Sequence, residues 1–179
     1  MKRIGLYPGT FDPVHKGHLA FAEETAKICN LDTVIFLPER HPRGKQNVTD
    51  LQHRVALLEQ AIATHPNASV AILKSDRFTV KDTLPELRAL CGNASVTLLA
   101  GSDVMRNLWQ WPDLTTLFEH VSLAIGMRAG DTQGDIDEAT VKAQRACKVP
   151  INLKYIYAPH AEIASSQVRE SGAHALTSN

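Results

Sequence analysis

Apolar positions along the chain alternate between two spacings, and the alternation gives the order of elements. Lys2–Tyr7 and Thr33–Leu37 are short apolar runs, the second opening with three β-branched residues. Such runs suit strands covered on both faces of a parallel sheet. Gly17–Cys29 has helical spacing, with Leu19, Ala22, Ala26 and Cys29 expected to face the core. Asp50 is expected to cap a helix running to about Thr64, burying Val55, Leu58 and Ala61 or Ile62; Arg54 either stays at the surface, the favoured reading, or reaches the edge where the strands end. A third strand over Ser69–Leu73 leads to a helix capped by Asp82 or Thr83, with Pro85 in its first turn and Leu87 and Leu90 inward. Further strands are expected at Ser95–Ala100, Val121–Met127 and Asn152–Tyr157, and helices at Pro112–Glu119 and Ile136–Lys148. Strands alternating with helices define an α/β class: a Rossmann-like, doubly wound, mostly parallel sheet of five or six strands, in order 3-2-1-4-5. At 179 residues one domain over residues 1–179 is expected, large enough to bury a core without metal or disulfide.

Charge and cysteine content narrow the class of partner. The 19 basic residues balance 19 acidic ones, so no basic surface for non-specific nucleic-acid binding is expected, and a small molecule is the favoured partner. Cys29, Cys91 and Cys147 are widely separated and read as free thiols in a reducing compartment. No apolar run approaches the ~18 residues of a membrane span, and the first run ends at Pro8, so a cytoplasmic protein without membrane contact is expected. Self-association is left open.

Candidate chemistry concentrates where strands give way to helices. Gly9-Thr-Phe-Asp-Pro-Val-His-Lys-Gly-His18 joins the first strand to the first helix, at an edge where helix N-termini favour anions. Gly9 and Gly17 permit close approach, and His15 and His18 can point the same way onto a polyphosphate. A zinc site is disfavoured by the spacing and the lack of matching ligands. Gly101-Ser-Asp-Val-Met-Arg-Asn-Leu-Trp-Gln-Trp111 follows the fourth strand: Gly101 permits close approach, Asp103 can accept from ribose hydroxyls, and a tryptophan offers a flat face to a heteroaromatic ring. Cationic Glu39–Thr49 is either a solvated loop or a cover over phosphates.

Thr10-Phe-Asp-Pro-Val-His-Lys-Gly-His18 resembles the signature of the HxGH nucleotidyltransferases, and the chain as a whole is most similar to the nicotinate mononucleotide adenylyltransferases. The resemblance implies that Gly9, Thr10, Phe11, His15 and His18 surround the phosphates of ATP. Pro38–Lys45 falls where that family carries Pro-Pro-His-Lys; Pro42 and Lys45 match, which makes Lys45 the candidate phosphate clamp, while Arg43 and Gly44 depart from the pattern. Phe78-Thr79, near a shifted Asp82-Thr83-Leu84, resembles a substrate-side segment and implies two neighbours of the acceptor. Leu108 and Trp111 have the family's spacing after Gly-x-Asp, which selects Trp111 over Trp109 for the pyridine ring. Arg128-Ala-Gly130 resembles an Arg-Pro-Gly and leaves Arg128 either structural or substrate-facing. Ile163-Ala-Ser-Ser-Gln-Val-Arg169 resembles Ile-Ser-Ser-Thr-x-Ile-Arg, implying that Ser165, Ser166 and Arg169 hold ATP phosphates.

The activity so implied joins the AMP moiety of ATP to nicotinate or nicotinamide mononucleotide in NAD biosynthesis, with Mg²⁺ carried on ATP and no dedicated protein metal site. Two alternatives are carried. Tyr7–Pro13 also resembles the opening of pantetheine-phosphate adenylyltransferases, against which His15 and the Trp111 segment weigh. Arg43-Gly44, the shifted Thr79 segment and the short stretch after Arg169 suggest a nucleotide-binding sensor without turnover.

Overall fold

A computed structural model of the protein describes residues 1–42, 44 and 47–160. Its elements are β1 (Arg3–Gly9), α1 (Lys16–Cys29), β2 (Thr33–Pro38), α2 (Leu51–Ile62), β3 (Ala68–Val70), α3 (Val80–Cys91), β4 (Ser95–Gly101), α4 (Ser102–Leu108), α5 (Leu114–Phe118), β5 (Val121–Gly126), α6 (Gln133–Ala146) and β6 (Leu153–Ile156). The sheet order is β3-β2-β1-β4-β5-β6, and every pairing is parallel. The expected Rossmann-like sheet is therefore present with its sixth strand. The chain builds outward from β1 to β3, then returns to the other side of β1 to lay down β4–β6, and that reversal opens a crevice beyond the carboxyl ends of β1 and β4.

Successive strand residues point to opposite faces, which divides the core in two. Leu6, Ile35, Leu37, Leu98, Ala100, Leu123 and Ile125 pack with α3–α6, while Val34, Phe36, Leu99, Ala124 and Ile156 pack with α1 and α2. No helix among the described residues is long and apolar enough to cross a membrane.

Several boundaries differ from the sequence-based expectation. In α1 it is Phe21, Ala22 and Thr25 that are buried, with Leu19, Ala26 and Cys29 only half-covered. Phe21 lies so close over Gly126 that a β-carbon there would meet its ring at 3.0 Å. β3 stops at Val70, and beyond it the Lys74 and Ser75 N–H groups donate to the Glu86 carboxylate. The cap of α3 is Thr79, not Asp82 or Thr83; Pro85 therefore lies inside the helix, beyond its first turn, and Leu90 is exposed. α6 starts earlier than expected, at Gln133, because Thr132 and Asp135 form a reciprocal capping box. Asp50 caps α2 as expected, accepting from Gln52 and His53.

Candidate functional site

The turn between β1 and α1 is built largely inside the protein. Thr10, Phe11, Asp12, Val14 and His15 are all buried. Phe11, at φ 48°, sends its ring beneath Gly9, where a β-carbon would meet the ring at 2.8 Å, and packs edge-on against Tyr7 at 5.2 Å. Glycine at position 9 thus makes room for the chain's own aromatic ring. Phe11 corrects the sequence-based expectation in one respect: its side chain belongs to the core, leaving only its backbone to face a ligand.

His15 occupies the N-cap of α1, and its backbone N–H donates to Nδ1 of His18 at 3.2 Å. With Nδ1 accepting, a neutral His18 must carry its proton on Nε2, so the ring is fixed as a donor on its other side. The two imidazole rings lie 3.7 Å apart between centroids and 31° from parallel. Burial, reinforced by the Arg128 guanidinium, lowers the His15 pKa to about 4, so this ring is neutral near pH 7. Its Nδ1 is buried and has no hydrogen-bond partner among the described residues. Gly17 fits only as glycine, because a β-carbon would meet the His15 ring at 3.1 Å and the His160 carbonyl at 2.7 Å. That carbonyl brings the chain, three residues before Ile163, against the first turn of α1.

Across the crevice, Gly101 ends β4 and caps α4. Asp103 and Arg128 form an ion pair at 3.2 Å, with their side chains 56 % and 58 % exposed. Arg128 is in turn tethered through its backbone N–H to Asp131, whose carboxylate also takes Arg106 at 2.7 Å. The charges of Arg128 and Asp103 both act on the buried Tyr7 hydroxyl, whose pKa is raised mainly by burial. The sequence-predicted Arg128 thus lies near enough for its charge to act on His15 and Tyr7, and Asp103 pairs with it.

A third group forms the far wall. Trp111 is half-buried and its ring lies 6.0 Å from Phe78, whereas Trp109 is exposed. Phe78 joins Pro8, Leu37, Pro38, Glu39, Leu73, Ser75 and Arg77 around a groove at the ends of β1 and β2. Thr79 follows Phe78 and caps α3. Its hydroxyl accepts from the Asp82 N–H and donates to the Asp82 carboxylate. Lys45, Ser165, Ser166 and Arg169 lie outside the described residues. Among the described residues no cluster of three or more His, Cys, Asp or Glu could hold a metal ion.

The sequence-based expectation failed at Arg54. It is 1 % exposed, and its guanidinium donates to the carbonyls of Thr10, Thr49 and Glu39 at 2.6, 2.8 and 2.9 Å. Burial lowers its pKa, opposed by Asp12, Asp50 and Glu39. A signal was present: Arg54, Leu58 and Ile62 recur every four residues, placing Arg54 on the apolar face of α2.

The parallel sheet, the crevice at its reversal point and the histidine pair at a helix N-terminus define a nucleotide-transferring α/β protein, and residues 6–171 match the family model described as cytidylyltransferase-like. The chain is 34% identical over 146 residues to the "Probable nicotinate-nucleotide adenylyltransferase" of Clavibacter michiganensis subsp. michiganensis, covering 78% of this chain and 72% of that protein. It is 31% identical over 186 residues to the protein of the same name from Thermomicrobium roseum, covering 99% and 83%. The chain belongs to the nicotinate-nucleotide adenylyltransferase family within the cytidylyltransferase-like nucleotidyltransferases, enzymes of NAD biosynthesis. The fold is shared with Plasmodium falciparum nicotinic acid mononucleotide adenylyltransferase complexed with NaAD, at a TM-score of 0.74 and 19% identity, over 95% of this chain and 83% of that one.

Proposed function

We propose that this chain, acting as one nucleotidyltransferase domain over residues 1–179 in the cytoplasm, joins the AMP moiety of ATP to nicotinate mononucleotide and releases pyrophosphate. The observation that carries this most is the His15 N–H bond to His18 Nδ1, which presents an Nε2–H donor at the N-terminus of α1 beside the crevice. The acceptor phosphate attacks the α-phosphorus in line; the bond from that phosphorus to the bridging oxygen breaks, and its electron pair leaves with pyrophosphate. A phosphate acceptor is already ionised near neutral pH, so alignment and charge stabilisation suffice without a strong base. His18 donates to the α-phosphate as charge builds during transfer. His15 holds His18 and lines the phosphate path with the Gly9–Thr10 turn and the Phe11 backbone.

Gly101 lets the adenosine approach and Asp103 accepts from its ribose hydroxyls, a role that exchanges its bond to Arg128 for bonds to substrate. Lys45, Ser165, Ser166 and Arg169 hold the departing pyrophosphate. Trp111 and Phe78 receive the pyridine ring, and Arg128, released from Asp103, faces substrate negative charge. Mg²⁺ fits this donor set as a companion of ATP, held by phosphate oxygens; when bound it neutralises charge on the leaving group.

A pyrophosphate-release assay with ATP and each of nicotinate mononucleotide, nicotinamide mononucleotide and phosphopantetheine tests the proposal. Turnover is expected with nicotinate mononucleotide above the other two. Preference for phosphopantetheine would move the chain to a different acceptor, and silence with all three despite ATP binding would make it a sensor.

A further inference from the structure

The guanidinium of Arg54 meets three separate pieces of chain at the carboxyl ends of β1 and β2. Through Thr10 it holds the turn after β1, through Thr49 the approach to α2, and through Glu39 the segment that leaves β2. Each of the three is tied again from a second side. The Asp12 carboxylate accepts the Thr49 N–H at 3.1 Å, and the Glu39 N–H donates to the Gly9 carbonyl at 3.0 Å. The Glu39 carboxylate accepts the N–H of Phe78 at 2.9 Å. A continuous chain of bonds therefore runs from Thr10 through Arg54 and Glu39 to Phe78, joining the phosphate turn to the wall that faces Trp111.

We propose that Arg54 is a positioning residue that couples the two halves of the crevice, so that filling the triphosphate turn shapes the groove for the acceptor mononucleotide, and the reverse. The proposal rests on the adenylyltransferase assignment above for the identity of the two ligands. Arginine suits the task because its planar fork can donate along three directions at once from a buried position, whereas a lysine offers a point charge without that geometry. Coupling between sites is reciprocal, so whatever factor ATP adds to acceptor affinity, the acceptor adds to ATP affinity. Since Arg54 is buried beneath the turn, it acts through Thr10 and Glu39 and not on a reacting atom.

The test is calorimetric binding of a non-hydrolysable ATP analogue and of nicotinate mononucleotide to the full chain, each alone and in the presence of the other. The native protein is expected to bind each ligand about fivefold or more tightly when the other is present. Arg54→Lys is expected to bring that factor close to one. Glu39→Ala keeps the carbonyl that Arg54 grips but removes the acceptor for Phe78, and it should also abolish coupling, which provides a second route should Arg54→Lys not fold. A residue serving only to stabilise the fold would shift the melting temperature and leave the ratio of affinities alone. Native-like coupling in either folded variant, or no coupling in the native protein, overturns the proposal. Failure of the native protein to bind either ligand would instead reject the adenylyltransferase assignment.

Discussion

The turn after β1 and the turn after β4 face each other across one crevice and are built on opposite principles. On the β1 side, Asp12, His15 and Arg54 are 6 %, 4 % and 1 % exposed. Asp12 and Arg54 are fixed by hydrogen bonds to backbone, and His15 binds His18 through its own N–H. On the β4 side, Asp103 and Arg128 meet in an ion pair whose members are both more than half exposed. A buried charge held by several bonds resists displacement because breaking any one leaves an unsatisfied group in a poorly solvated place. An exposed pair contributes little and exchanges partners readily. The first side is suited to hold reacting phosphates in one geometry, the second to release its own bond and take up substrate.

The sharpest way to break this contrast is to remove the rigid side's centre. Arg54→Met should destabilise the protein by about 3–5 kcal/mol, since one buried and two part-buried carbonyls lose their donor; urea unfolding followed by circular dichroism measures it. Next in size, His18→Ala should leave unfolding little changed but lower turnover by roughly 10²–10³, comparable to loss of one oxyanion donor. Steady-state rates of pyrophosphate release give the answer, and near-native turnover would remove His18 from its role.

A smaller effect follows from His15, whose pKa is lowered from 6.5 to about 4 in the folded state. Between those values the unfolded chain takes up a proton that the native ring refuses, so this group's contribution is fully present above pH 6.5 and is lost as pH falls toward about 4. Urea midpoints across that range should fall more steeply for the native protein than for His15→Gln. The smallest change belongs to the exposed side. Asp103→Asn should alter stability by less than about 1 kcal/mol, yet raise the KM for ATP; a stability loss as large as that of Arg54→Met would erase the distinction between the two turns.

The same contrast explains what the sequence could convey. Double-covered strands such as Thr33–Leu37 and Ser95–Ala100 carry their own pattern, and the two glycine-containing turns stand out by composition, so the sheet and the placing of both turns at the carboxyl ends of β1 and β4 were legible in outline. Arg54 was legible only in part: its spacing with Leu58 and Ile62 marked the buried face, but charge suggests the surface, and the three carbonyls that converge on it come from residues 10, 39 and 49. The cap of α3 was misplaced for the opposite reason: resemblance to a substrate segment obscured the fact that a threonine three residues before Asp82 makes a ready helix cap. Phe11 sits in a phosphate-binding signature, but its ring serves the core beneath Gly9. Tertiary packing decides such cases, and local spacing does not encode it.

The most direct measurement is a crystal structure of the protein with the dinucleotide product bound. The diphosphate is expected within hydrogen-bond distance of His18 Nε2 and the pyridine ring against Trp111 on its Phe78 side, with Asp103 turned from Arg128 to the ribose. A product lying elsewhere, with the Asp103–Arg128 pair intact and the histidine pair facing only solvent, would contradict the assignment of this crevice.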